Sequence, residues 1–131
     1  MSKKTEYACL ALIDLSRNYE GGLMKISELS ERNNIPKKFL EQILLLLKST
    51  GYVKSVRGPK GGYKLSKSPV NITLAEIIRL FEGALAPVES VSVYFYECTP
   101  IEKNQKLVSV FKDIRDYVSN KLEFITFNDL I

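Results

Sequence analysis

The chain has 131 residues, of which 45% are apolar and 26% charged, with a formal net charge of +4 and no histidine. This is the length of about one domain, apolar enough to pack a core, and its apolar runs fall far short of a bilayer span. Without histidine the commonest general base and a favoured metal ligand are missing, which argues against an enzyme.

In chain order, the first helix is expected from Thr5 to Asn18, with a broad stripe of Tyr7, Ala8, Leu10, Ala11, Leu12 and Leu15. Cys9 sits on that apolar face and reads as core. Ser27 reads as the N-cap of a short second helix, with Glu28 and Glu31 in its first turn, stopping at Asn33–Asn34. Pro36 is expected as the first residue of a third helix, where its missing N–H costs little. Phe39, Leu40, Ile43, Leu44, Leu46 and Leu47 supply the apolar face of that helix. Lys37, Lys38, Glu41, Gln42, Leu45 and Lys48 fall on its remaining surface.

Gly51 ends the third helix, and "YVKSVR" and "YKLS" follow as short strands around "GPKGG". Thr73 is expected to cap a fourth helix, Leu74 to Glu82, closed by Gly83. Residues 84–104 show no clean period and read as irregular. Leu107, Phe111, Ile114, Val118, Leu122 and Ile125 then recur at three- and four-residue steps, a long amphipathic helix with near-heptad spacing.

Charge is concentrated in the middle. From Pro36 to Lys67 there are eight lysines and arginines against Glu41 alone, whereas residues 1–35 are balanced and residues 68–131 carry an acidic excess. That is the footprint of an element that meets a polyanion, and its alternative is a solvated basic face. The order helix, helix, turn, helix, basic hairpin is that of a winged helix-turn-helix. The helix after Pro36 would then approach base edges, and the hairpin would be the wing. Gly58, Gly61 and Gly62 permit a tight turn, and Arg57, Lys60 and Lys64 can neutralise phosphates. The G-x-x-x-x-G-K-[ST] loop of nucleotidases is missing.

The segment from Ile35 to Gly83 resembles the winged-helix regulators typified by IscR, NsrR and CymR. The resemblance is carried by "LEQ" on the third helix, by "GYVKSVRGPKGGYKL" and by "ITLAEIIRLFEG". The opening "TEYACLALIDLS" and the closing "VFKDIRDYVSNKLEFITFNDL" extend it over nearly the whole chain. It implies a mainly α fold with a two-stranded β wing and a long C-terminal dimerisation helix. The parts would be a winged helix-turn-helix domain at residues 1–83, a degenerate sensor loop at 84–104, and a dimerisation helix with tail at 105–131. The implied function is a homodimeric transcriptional regulator, usually a repressor, bound to double-stranded DNA at a palindromic operator.

Carried over from the family, the start of the third helix points to Pro36, Lys37, Lys38, Phe39, Glu41 and Gln42. Gln42 has the chemistry to pair with adenine and Glu41 to accept from cytosine, while Phe39 is equally readable as core. Arg57, Lys60, Gly61, Gly62 and Tyr63 form the wing set. Many family members hold an iron–sulphur cluster through three cysteines. This chain has only Cys98 of the three, with Ser90 and Asn104 or Gln105 near the other places, so the expectation is no cofactor, with an iron–sulphur cluster as the disfavoured alternative. Glu6 matches an acidic ligand that some relatives share across a dimer, which makes Cys98 with Glu6 the sensor candidate.

Cys98 is also readable as a redox switch, as a relic beside an effector pocket, or as an ordinary loop residue. A small-molecule or protein effector, or a basic wing that meets an acidic protein, is the alternative to simple repression. A segment "MSKKTEYACL" without a signal-peptide core and only two cysteines fit a cytoplasmic protein with no membrane role.

Overall fold

The computed structural model describes residues 1–83 and 100–131. Cys98 and most of the segment expected to be irregular lie outside the described residues.

Helix α1 spans Lys3–Arg17. It starts two residues before the expected Thr5 because the Ser2 side chain caps it, accepting the Thr5 N–H at 3.2 Å. Ala8, Ala11, Leu12 and Leu15 are buried. After the glycine turn, Met24 pairs with Tyr63 in an antiparallel bridge, each amide donating to the other's carbonyl at 2.9 and 2.7 Å. That bridge corrects the reading of Ser27 as a cap. The chain stays extended through Lys25, which is the N-cap, and α2 spans Ile26–Asn33. The Lys25 N–H donates to Glu28 Oε1 at 3.3 Å. As expected from "NN", α2 stops where Asn34 turns left-handed at φ 52°, its N–H donating to the Ser30 carbonyl.

A buried carboxylate ties α1 to α2. Asp14 accepts a 2.6 Å hydrogen bond from Asn33 Nδ2, with Arg17 at 3.6 Å and Arg32 at 4.0 Å. Satisfying both oxygens offsets the cost of taking that charge out of water.

Helix α3 spans Lys37–Ser49, with Pro36 at the N-cap rather than inside the first turn. Pro36 has extended ψ, 131°, and its carbonyl accepts from the Phe39 and Leu40 amides. Leu40, Ile43, Leu44 and Leu47 are completely buried against α1 and α2. Phe39, grouped in sequence with that face, is 43% exposed; its ring tilts at 55° against Tyr7 of α1, with centroids 5.9 Å apart.

Strands β1 (Val53–Val56) and β2 (Gly62–Leu65) pair antiparallel, Val53 opposite Leu65 and Ser55 opposite Tyr63. Val53 and Leu65 are buried. The winged helix-turn-helix arrangement is therefore present: three helices followed by a two-stranded hairpin.

The described residues form two compact units, Met1–Ile72 with Thr126–Ile131, and Thr73–Ile125. The first unit is closed by a 3₁₀ turn, Phe127–Leu130, in which Phe127 is completely buried and donates its N–H to the Ile72 carbonyl at 2.9 Å. In the second unit, α4 spans Leu74–Glu82 as expected. Thr73 and Glu76 cap it reciprocally, and it ends at Gly83 with φ 91°. The helix read from sequence as the end of the first domain thus packs in one unit with α5, Gln105–Glu123. Asn104 caps α5 by accepting the Leu107 N–H, and an Arg79–Glu123 ion pair links α5 to α4. Ile125, the last position of the sequence stripe, lies beyond the helix end. No described helix is long and apolar enough to cross a membrane.

Candidate nucleic-acid interface

The hairpin ends in a tight turn. The Gly61 N–H donates to the Gly58 carbonyl at 2.9 Å, closing the turn. A side chain at Gly61 would collide with the Val56 carbonyl, and one at Gly62 would come within 2.6 Å of the Met24 carbonyl. These two positions accept only glycine without rearrangement. Arg57 and Lys60 stand exposed at the tip. On the ladder's outer face Lys54 lies directly opposite Lys64. Like charges in that arrangement repel, so the hairpin is adapted to an anion.

On α3 the outward side chains are Lys37, Lys38, Glu41, Gln42, Leu45 and Lys48, with Leu45 at 69% exposure. Pro36 is also exposed, at the N-terminal end of the helix. The exposed surface of α3 and the body-facing side of the hairpin border one open cleft of about 560 Å³. Lys37, Arg57, Gly61, Gly62 and Tyr63 line it. Of the residues singled out in sequence, these are brought together. Pro36, Lys38, Phe39, Glu41, Gln42 and Lys60 are not part of its lining.

The cleft also takes in Lys25, Ser27, Lys48 and Ser55, which sequence reading did not place in a site. Lys48 was findable, since it lies three helical turns beyond Lys37 on the same ridge. Lys25 was not, because the Met24–Tyr63 bridge that brings it there joins residues far apart in sequence. No aspartate or glutamate among the described residues lines the cleft.

Of the two sensor candidates, Cys98 lies outside the described residues and Glu6 does not line this cleft. Glu6 is exposed on α1. Cys9 is a free thiol, and burial pushes its pKa up to about 11. Among the described residues no three His, Cys, Asp or Glu side chains gather where they could hold a metal ion.

Comparison with known proteins agrees with this architecture. A family model described as "Rrf2: Iron-dependent Transcriptional regulator" matches residues 1–131. The transcriptional regulator CymR of Bacillus subtilis is 32% identical over 99% of this chain and 88% of its own length. The solved structure of that global cysteine regulator superposes with a TM-score of 0.80, covering 99% of this chain and 94% of the other. IscR of T. potens superposes with a TM-score of 0.78 at 28% identity, covering 99% and 84%. A winged helix carrying a basic cleft, matched over nearly its whole length by regulators of transcription, is a DNA-binding transcriptional regulator, not an enzyme, and the chain belongs to the Rrf2 family.

Proposed function

We propose that this regulator is a homodimeric repressor that binds a palindromic operator, with α3 in the major groove and the hairpin at the neighbouring minor groove. Residues 1–83 carry DNA contact, 84–104 sensing, and 105–131 pairing of the two copies. The observation that carries the reading is the convergence of Lys37 on α3 and Arg57 on the wing upon one cleft without a carboxylate among the described residues. A self-complementary pair of such surfaces reads a two-fold symmetric site. Gln42 and Glu41, exposed on α3, supply base contacts, while Lys38, Arg57 and Lys60 neutralise phosphates. Pairing is supported by the apolar side chains that α5 leaves exposed, Leu107, Val110, Ile114 and Tyr117.

Selection of bound duplexes from a random pool tests this reading, followed by footprinting of the DNA upstream of the protein's own gene. The expected result is an inverted repeat about two helical turns long. Equal affinity for every sequence would remove the operator from the account.

The signal is assigned to something other than a cluster held by cysteines. Iron–sulphur clusters are bound by sets of thiolates, and this chain has two cysteines and no histidine. A small molecule, a protein partner or oxidation of Cys98 then sets DNA affinity. Iron and sulphide content after purification without oxygen, with operator affinity before and after oxidation, separates these signals from a cluster.

A further inference from the structure

The cleft between α3 and the wing draws in groups from a third element, the N-terminal end of α2. We propose that it seats the backbone phosphates of the DNA strand that divides the major groove from the adjacent minor groove, and that Lys25 and Lys48 are the residues that clamp it. The proposal rests on the DNA-binding reading and names a contact that reading does not contain.

Geometry dictates the occupant. With α3 in a major groove and the hairpin tip at the next minor groove, the strand separating the two grooves must cross the gap between helix and hairpin. That gap is the cleft. Four cationic residues line it, Lys25, Lys37, Lys48 and Arg57, together with Ser27 and Ser55. Four like charges around one opening repel one another until an anion enters.

The α2 end adds to this. The first-turn amides of a helix have no acceptor within it, and its N-terminus carries the positive end of the dipole. Glu28 is the nearest acid in sequence, and its carboxylate takes the Lys25 N–H rather than lining the cleft. Lys25 is also held in place. The neighbouring Met24 is hydrogen-bonded through both its amide and its carbonyl to Tyr63, so the Lys25 backbone is fixed beside the wing. The plain alternative is that Lys25 and Lys48 are ordinary solvated lysines.

Phosphate contacts position a protein without reading sequence. The test therefore compares the selected operator with a random duplex, for the full-length protein and for Lys25→Gln, Lys48→Gln and the double variant, from about 50 to about 200 mM salt. Each single change is expected to weaken both duplexes by the same factor, roughly three- to tenfold. It should also flatten the salt slope by about one unit for each phosphate that is no longer neutralised. A duplex with one neutral methylphosphonate in the dividing strand should weaken wild type in the same way and weaken the double variant less. Unfolding temperatures close to wild type confirm that the variants fold.

If wild type binds DNA with a steep salt slope and the variants keep that slope, the phosphate clamp is wrong and the regulator reading survives. A loss confined to the operator overturns the clamp as well, since it would make these lysines base readers. Failure of wild type to bind any duplex overturns both.

Discussion

Two helices of this chain, α3 and α5, share one design on paper and meet opposite fates. Both alternate apolar and charged faces with helical periodicity. In α3 the apolar face vanishes: Leu40, Ile43, Leu44 and Leu47 have no exposed surface. In α5 only Val108 is buried, while Val110 is 54%, Ile114 42% and Tyr117 73% exposed. An amphipathic pattern therefore reports that a helix needs a partner, and says nothing about whether the partner lies in the same chain. The first unit supplies one for α3. On the proposed reading, the stripe on α5, spaced for coiled packing, is left for a second copy.

The most severe way to break this comparison is to charge the exposed stripe. Ile114→Asp is expected to convert a dimer to a monomer in size-exclusion with light scattering. Operator affinity should fall roughly a hundredfold or more, because the two half-sites lose their linkage. Cores buried within the chain are untouched, so helical content should stay near wild type. A variant that remains dimeric would show that the pairing surface lies elsewhere.

The same contrast explains what the sequence could reveal. Features set by neighbours along the chain were legible. The Thr73 cap, the stop at Asn34 and the glycine-pinned hairpin are each local chemistry, and each is in the structure. Features set by distant pairing were not. The Met24–Tyr63 bridge moves the start of α2 forward and brings Lys25 to the cleft. The Asp14–Asn33 hydrogen bond and the burial of Phe127 likewise join residues that no short window contains. Phe39 was ambiguous for a related reason. Its position in the helical period borders the buried face, and its ring lies against Tyr7 of α1, a contact no short window contains, while 43% of it stays exposed.

A gentler break separates reading from holding on α3. Gln42→Ala is expected to cost roughly tenfold in operator affinity and to leave a random duplex unchanged, because a bidentate base contact discriminates by about 1–3 kcal/mol. Gel shifts on both duplexes check this, and equal losses would move Gln42 from base edge to backbone. Arg57→Ala and Lys60→Ala should have smaller effects of the opposite kind. Each should lower affinity severalfold on both duplexes, with a shallower salt dependence. If neither affects affinity, the hairpin is not a DNA contact.

The smallest effect sharpens the comparison from inside the first unit. Cys9, read as core in the sequence, is half-buried by its own chain, and that desolvation lifts its thiol from about 9.0 to about 11. Desolvation penalises the thiolate, so the folded state holds its proton more tightly than the unfolded chain does. The corresponding stability is intact below about pH 9 and is lost as pH rises toward about 11. At pH 8 the thiolate is scarce, and alkylation of Cys9 in the native protein should be much slower than in denaturant. Because the burial is intrachain, Ile114→Asp should leave that slow labelling unchanged even when the protein is monomeric. Labelling that speeds up on dissociation would mean that the first unit depends on the partner copy for its packing, and the distinction between a helix satisfied at home and one satisfied abroad would fail.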